Sequence, residues 1–167
     1  LGTLRYLRTT PEIAGYDHSW FILTQKIIKK EFALSGSEQN PDITDGNWKS
    51  FARQRVLNSK APAPVEAFKQ RGADFVVADG LEELVAKMNA LTDEPLLDAA
   101  AIRRQIEARD MQVANPFSKD AQIQGIHNAR KSITERIGRT AAPHRILDPA
   151  AGPLIGVKLH VLTRKTL

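Results

Sequence analysis

The sequence predicts an α+β fold, in which helices and short strands are mixed. Leu81, Leu84, Val85 and Met88 fall at the i, i+3, i+4 and i+7 positions, which place them on one face of a helix. From Leu154 the apolar residues recur at every second position, a spacing typical of a strand. Helical and strand patterns follow one another without regular alternation and without an internal repeat, and this order favours α+β over a regular parallel fold.

The first sixty residues predict one strand, one helix and a loop. Trp20 to Leu23 is an apolar run of strand length, and the pattern leaves open whether residues 24–34 continue as strand or become helix. Ser, Gly, Asn and Pro dominate residues 35–42, which predicts a loop. A helix is predicted over residues 48–57. Prolines at 62 and 64 then predict an extended stretch over residues 61–64.

The middle of the chain predicts helix, strand and helix in turn. A short helix from Val65 to Arg71 is expected to stop at Gly72, and Phe75 to Ala78 forms a short strand. Asp79 is placed to cap the following helix, whose apolar stripe is described above.

Two longer helices and a final strand complete the prediction. The helices are expected over residues 96–113 and 118–139, the second with Ile123, Ile126, Ile133 and Ile137 along one side. Residues 141–153 contain three prolines and predict a loop. In the strand that follows, one face carries Ile155, Val157, Leu159 and Val161, and the other carries Gly156, Lys158, His160 and Leu162.

Composition excludes several classes of protein. Hydrophobic residues make up 42% and charged residues 26% of the 167 residues, which excludes disordered and fibrous chains. No apolar run reaches the ~18 residues needed for a membrane span, and no secretion signal is visible. The absence of cysteine excludes disulfides, thiolate catalysis and thiolate-bound metals. A cytoplasmic location is expected.

The net charge of +5 raises the question of nucleic-acid binding. The 24 basic residues are spread along the chain among acidic ones. The densest basic segments, residues 26–30 and 103–104, have no flanking aromatic residues that could stack on bases. This scatter is typical of a solvated surface and disfavours a nucleic-acid partner.

The common motifs of cofactor and metal sites are absent from the sequence. No two of the ten glycines are separated by a single residue, so neither G-x-G-x-x-G nor a phosphate-binding loop is present. The four histidines lack the spacing of metal ligands, and no metal is expected. Asp17, His18 and Ser19 are contiguous and cannot converge on one reacting atom as a hydrolytic triad would.

Two places hold polar residues with a possible functional role. His144 and Arg145 lie in the proline-rich loop before the final strand, where site residues are often found, although Asp148 is equally placed to pair with Arg145 structurally. Lys158 and His160 share one strand face, for which a solvated surface is the favoured interpretation.

Several segments in order resemble one family. They are WFILT at 20–24, EFALSGSEQNPD at 31–42, ADFVVADGLEEL at 73–84, NPFSKD at 115–120, and the segment from Pro143 through Leu159. The set is similar to actinobacterial FAD-binding dehydrogenases related to 3-ketosteroid 1-dehydrogenase and the fumarate reductase flavoprotein.

The resemblance implies a domain organisation. In that superfamily a substrate domain interrupts the FAD-binding domain and closes over the flavin. Residues 1–150 resemble this substrate-capping domain, and residues 151–167 resemble the strand that returns to the FAD-binding domain. That domain is then expected elsewhere in the same polypeptide, together with its glycine fingerprint, and this chain is expected to be a piece of a larger protein.

The resemblance also implies a reaction and a set of site residues. The reaction is hydride transfer between a small-molecule substrate and FAD, a cofactor that this piece alone is not expected to retain. Ile155 stands where the ketosteroid enzymes have a tyrosine, so their way of polarising a 3-keto group is not expected here. Arg164 and Lys165 stand where fumarate reductase-like members have a histidine pair, and they are predicted as catalytic cations near the flavin. His144, Arg145, Ile155 and His160 are predicted on the substrate side.

Two other interpretations stay open. The chain could be an independent basic module that binds nucleic acid or a protein without catalysis, or a catalytically silent cap. An apolar face left uncovered by a missing domain could also make the chain a homo-oligomer.

Overall fold

The computed structural model describes residues 18–33 and 61–160. Within them, three strands form one antiparallel sheet: β1 (His18–Thr24), β2 (Phe75–Ala78) and β3 (Leu154–His160). Their order is β1–β3–β2, so the last of the three described strands lies in the centre. The described part of the chain is therefore mixed α+β, as predicted.

Five helices and two short helical turns accompany this sheet in the described ranges. The helices are α1 (Gln25–Glu31), α2 (Ala63–Arg71), α3 (Leu81–Asn89), α4 (Ala99–Met111) and α5 (Ala121–Ala129). A π-helical turn spans Glu135–Arg139 and a 3-10 turn spans Pro149–Ala151. The segment after Thr24, which the sequence left open, is thus helical.

Helices cover both faces of the sheet. Ile155 and Val157 of β3 pack with Ile28 of α1 and Val65 of α2 on one face. On the other face, Leu154 packs in a cluster with the apolar stripe of α3. The alternation of side chains along β3 was predicted correctly. The strand face that was expected to be solvated, however, is buried in the first residues of the strand.

Gly156 allows α3 to approach the central strand closely. It pairs with Ile22 of β1 and Val76 of β2, and it is buried. A Cβ atom at this position would lie 2.9 Å from Cγ2 of Val76 and 3.0 Å from Cγ of Met88. The absence of a side chain therefore sets the distance between helix and sheet.

Four details of the sequence prediction are wrong. The helix expected over residues 118–139 ends at Ala129 and is followed by a separate π-helical turn, so Ile133 and Ile137 are exposed and do not extend a buried stripe. The cap of α3 is Gly80, and no side chain caps that helix. The stretch expected to be extended over residues 61–64 already enters α2 at Ala63, because proline fits the first turn of a helix.

The fourth correction concerns Asp148. Its carboxylate accepts the backbone N–H of Ala150 at 2.9 Å and caps the 3-10 turn. No ion pair joins Asp148 to Arg145 in the described part of the chain. A carboxylate directly before such a turn can accept hydrogen bonds from its unpaired backbone N–H groups, and here this contact takes the place of an ion pair with Arg145.

Some predictions fall outside the described residues: the loop over 35–42, the helix over 48–57, Val161 and Leu162, and the two cations Arg164 and Lys165. Among the helices that are described, none combines the length and the apolar character that crossing a membrane requires.

Candidate functional site

A cavity of about 390 Å³ lies where β1, α1, α4, α5 and the loop of residues 141–146 meet. Its walls are mainly apolar and include Ile22, Leu23, Ile27, Ile106, Ile126 and Ile146. The polar side chains that line it are Glu31, Gln105, Arg109, Gln122 and His144. Its volume lies in the range of about 300–1,000 Å³ that small-molecule sites occupy.

His144 is buried at the wall of this cavity, and both of its ring nitrogens are hydrogen-bonded. Nδ1 lies 2.8 Å from the carbonyl oxygen of Ala142, and Nε2 lies 2.8 Å from Oγ1 of Thr24. A carbonyl can only accept, so Nδ1 carries a proton and donates it to Ala142. In the neutral ring, Nε2 then accepts the hydroxyl proton of Thr24.

Thr24 joins this loop to the first helix. It is fully buried and is the N-cap of α1, where its hydroxyl oxygen accepts the backbone N–H of Ile27 at 3.3 Å. The same hydroxyl therefore satisfies a helix end and a histidine 120 residues away in the sequence.

Asp110 holds the loop from the opposite side. Its side chain is 2% exposed, and its two oxygens accept the backbone N–H groups of Ile146 at 2.9 Å and Leu147 at 3.2 Å. Nη1 of Arg109 lies 2.8 Å from the same carboxylate. A buried charge is stable only when paired and hydrogen-bonded in this manner.

Arg109 connects the loop, the carboxylate and α5. Besides Asp110, Nη1 donates to the carbonyl oxygen of His144 at 2.7 Å, and Nε donates to Oε1 of Gln122 at 3.0 Å. Glu31 of α1 accepts the backbone N–H of Ala141 at 3.1 Å. Elements distant in the sequence thus hold the loop of residues 141–147, part of which forms one wall of the cavity.

The predicted site residues occupy different surroundings. His144 lines the cavity, whereas the side chain of Arg145 is exposed. Ile155 is fully buried in the core under α1 and α2. His160 is exposed, and its Nε2 lies 2.8 Å from Oδ1 of Asp74.

The structure does not bring His144 and His160 together. His144 binds Thr24, which pairs with Leu154 at the beginning of β3, whereas His160 is at the end of that strand. Six residues of strand separate these points by about 20 Å. Arg164 and Lys165 lie outside the described residues, and their roles remain predictions.

Sequence reasoning missed Thr24, Arg109 and Asp110. Their partners in the loop of residues 141–147 are between 35 and 120 residues distant, so no local motif marks them. One signal was present. Asp110 continues the i, i+4 spacing of Ile102 and Ile106 on α4, and a carboxylate on an apolar stripe is costly unless it has buried partners.

A metal ion and the dinucleotide of FAD each require a characteristic set of protein groups. Across residues 18–33 and 61–160, no three His, Asp or Glu side chains converge as a metal site would require. The sequence holds no glycine-rich fingerprint for a dinucleotide pyrophosphate. The residues that the structure describes therefore offer no site of this kind for the dinucleotide part of FAD.

Comparison with known proteins gives a consistent relationship. All 167 residues align at 52% identity with proteins named KsdD-like steroid dehydrogenase from two strains of Mycobacterium tuberculosis and from Mycolicibacterium smegmatis. The chain spans 29% of the length of these curated relatives. No protein-family model matches the chain, and no solved structure matches it significantly. The resemblance to ketosteroid dehydrogenase-like proteins is confirmed.

Proposed function

We propose that this ketosteroid dehydrogenase-like chain is the substrate-capping part of a FAD-dependent oxidoreductase. The observation that carries the proposal is the 52% identity over every residue of the chain with relatives named steroid dehydrogenases. In the intact protein, hydride would pass between a steroid-like substrate and the flavin. Residues 1–150 would form the cap, and residues 151–167 would return the chain to the FAD-binding domain.

The surface of the described residues supports contact with another part of a polypeptide. Phe117 is 87% exposed, and Met111, Ile133 and Ile137 are each more than 60% exposed. Large apolar side chains on a surface often mark a place where another molecule or domain binds. A cap that closes over a second domain requires such contacts.

The dinucleotide of FAD would be held elsewhere in the intact protein, because this chain lacks the glycine fingerprint. Arg164 and Lys165 remain the proposed substrate-side cations, since a guanidinium or ammonium group can bind a carboxylate or stabilise an oxyanion.

The remaining predicted residues have more specific roles in this proposal. His144 forms part of the cavity wall, and its two hydrogen bonds favour a fixed orientation over proton transfer. Arg145 is the exposed cation beside that wall. Ile155 packs in the core at the central strand and does not line the cavity.

The decisive experiment uses the intact protein that carries this sequence. We expect it to purify with bound FAD and to show loss of flavin absorbance when a steroid substrate is added without oxygen. Lys165→Ala and Arg164→Ala should each lower turnover by about 100-fold, the size of effect seen when a donor to a developing charge is removed. Lys131→Ala, an exposed residue of the described part, is the matched control.

Three outcomes would count against the proposal. An intact protein without flavin would overturn it. Equal losses of activity and melting temperature in Lys165→Ala would overturn the assignment of that residue. Stoichiometric flavin retained by residues 1–167 alone would overturn the capping role.

The alternative of a basic binding module has less support. Several basic side chains of the described residues pair with acids, among them Lys87 with Glu83 and Arg103 with Glu82. If the chain bound DNA through phosphates, log affinity would fall with log salt by about 0.9 for each phosphate contacted. Tight binding with that dependence would favour this alternative.

A further inference from the structure

We infer that the outer edge of β1 is a strand-addition site, at which an extended apolar segment of the same polypeptide, from outside residues 1–167, pairs with the sheet. The inference rests on the proposed function only in treating this chain as part of a longer polypeptide. It is tested by hydrogen exchange and cross-linking, and neither measurement depends on a flavin or a substrate.

The hydrogen bonds of the sheet show which backbone groups of β1 point away from β3. The N–H of Gln25 donates to the carbonyl oxygen of Pro153 at 3.2 Å, and these two residues continue the β1–β3 register by one pair. In an antiparallel pair of strands, hydrogen-bonded and non-hydrogen-bonded residue pairs alternate. In steps of two from Gln25, the β1 residues that bond to β3 are Leu23, Phe21 and Ser19. The N–H and C=O groups of Trp20 and Ile22 therefore point away from β3.

The contact between β3 and β2 agrees with this alternation. The N–H of Lys158 donates to the carbonyl oxygen of Asp74 at 2.9 Å, in the register of the β2–β3 pair. Every second residue of β3, counted from Lys158, thus bonds to β2, and the residues between them are left for β1. Within residues 18–33 and 61–160, β1 pairs with β3 alone, so the outward groups of Trp20 and Ile22 have no strand partner there.

The cavity beside His144 lies along this outer edge. The side chains of Ile22 and Leu23 point to opposite faces of the sheet, where they pack against different apolar clusters. Both residues nevertheless line the cavity, so the cavity borders the edge of β1 and not a single face. The outward N–H and C=O of Ile22 thus adjoin an apolar space. Backbone groups in such surroundings are stable only when another group bonds to them.

The two outer edges of the sheet differ in how they are protected. β2 has four residues, and Nζ of Lys87 donates to the carbonyl oxygen of Val77 at 2.7 Å. A short strand and a lysine at its edge are features by which proteins prevent another strand from adding. β1 has seven residues, HSWFILT, and contains no lysine, acidic residue or proline. We expect this unprotected edge to be covered in the intact protein.

The rest of the polypeptide is the occupant that fits this edge. The chain spans 29% of the length of its curated relatives, so most of such a protein lies outside it. Ile106 of α4 and Ile126 of α5 line the same cavity, and they would contact the apolar side chains of an added strand. A second copy of the chain is disfavoured, because in each copy α4 and α5 border the space beside the edge that would have to meet its counterpart.

The test is hydrogen–deuterium exchange of the intact protein, measured at single residues. We expect the N–H groups of Trp20 and Ile22 to be protected to within about tenfold of those of Phe21 and Leu23, which bond to β3. The N–H of Val77, on the protected outer edge of β2, should exchange much faster and is the matched control. Exchange at Trp20 and Ile22 as fast as at Val77 would overturn the inference.

Ile126→Trp tests whether the added segment lies in the cavity. The larger side chain should narrow the space beside β1 and raise the exchange rate at Ile22 by more than about tenfold, while continued protection of Leu23 shows that the pairing with β3 is intact. Leu96→Trp adds bulk at a leucine that is 53% exposed and does not line the cavity, and it should leave exchange at Ile22 unchanged. An unchanged rate at Ile22 in Ile126→Trp would count against the site.

A photo-cross-linker identifies the segment. Phe21 is 52% exposed, and an added strand would lie about 5 Å from β1, so Phe21→p-benzoylphenylalanine should cross-link to it. We expect the product to be a monomer in which position 21 is joined to a peptide from outside residues 1–167. A cross-link to a peptide within these residues, or between two copies, would overturn the assignment of the occupant.

Failure of this inference and failure of the proposed function give different results. An intact protein that lacks flavin, but in which Ile22 is protected and the cross-link forms, would overturn the proposed function and leave the inference standing. An intact protein that contains flavin, but in which Trp20 and Ile22 exchange fast, would overturn the inference alone.

Discussion

The centre of the sheet and the loop of residues 141–147 are stabilised in different ways. Around β3, buried apolar side chains such as Ile155, Ile28 and Leu84 pack against one another on the two faces of the sheet. The loop is held mainly by polar side chains that bind its backbone and its histidine, with Asp110 and Thr24 on opposite sides. The stability of the sheet therefore depends on how well apolar side chains fill its core, and that of the loop depends on whether its buried polar groups are hydrogen-bonded. Substitutions in the two regions should destabilise the protein for different reasons.

The largest effect is expected for the loop. Asp110→Ala leaves Arg109 without its carboxylate and removes the acceptor of the N–H groups of Ile146 and Leu147. Breaking a buried pair of this kind costs about 3–5 kcal/mol of unfolding free energy. Urea denaturation measures it.

Asp98→Ala is the matched control for that change. Asp98 is an exposed N-cap that accepts the N–H groups of Ala100 and Ala101, and its loss should cost about 1 kcal/mol. If both substitutions lowered the unfolding free energy by the same amount, the loop would not depend on buried polar contacts and the contrast with the sheet would disappear.

The next largest effect is expected in the sheet. Gly156→Ala places a methyl group against Val76 and Met88, and overpacking of a core costs about 1–3 kcal/mol. Gly125→Ala is the control, because a Cβ there meets nothing within 4 Å in α5, and it should stabilise the helix by about 1 kcal/mol. The melting temperature should fall in Gly156→Ala and rise in Gly125→Ala. A shift in the same direction for both variants would show that the space at this part of the sheet is not limiting.

The smallest effect concerns Glu66, a polar residue on α2 in the region around the sheet, which is otherwise stabilised by apolar packing. Burial raises the pKa of Glu66, but hydrogen bonds from Lys69, Gln25 and the backbone of Ala61, together with the charge of Lys69, lower it more, so the pKa lies below its ordinary value of 4.5. The ionised form is thus favoured in the folded state, and its contribution is present above pH 4.5 and lost as the pH falls below that value.

Glu66→Gln should therefore cost roughly 1 kcal/mol at pH 7, with a smaller difference from the unsubstituted protein as the pH falls toward 3. Unfolding free energies measured across this range test the prediction. Glu83→Gln is the control, because its ion pair with Lys87 is exposed and should contribute much less. A Glu66→Gln difference that is constant with pH would contradict the argument.

The same contrast explains what could be predicted from the sequence. The strands and the apolar stripe of α3 follow from residues close together in the chain, and they were predicted correctly. The break after Ala129 was missed because isoleucines at 133 and 137 continue a helical spacing although they are exposed.

The cavity wall could be predicted only in part. His144 was singled out by its place in a proline-rich loop, and it does line the cavity. Its partners Thr24 and Arg109 lie 120 and 35 residues away, and the pattern of one segment carries no information about contacts at that distance. Contacts between segments distant in the sequence, and not a local pattern, form this wall.

The position of β3 has a consequence for the order of folding. β1 and β2 do not pair with each other, and each pairs only with β3 in the described sheet. During synthesis the early strand therefore gains its partner in this sheet only as β3 emerges, since Thr24 pairs with Leu154 and His18 with His160. Pairing across such a long sequence separation closes a large loop, which slows folding. We expect the helices α2 and α3, whose contacts with β2 are local, to form first, with closure of the sheet as the late, rate-limiting step.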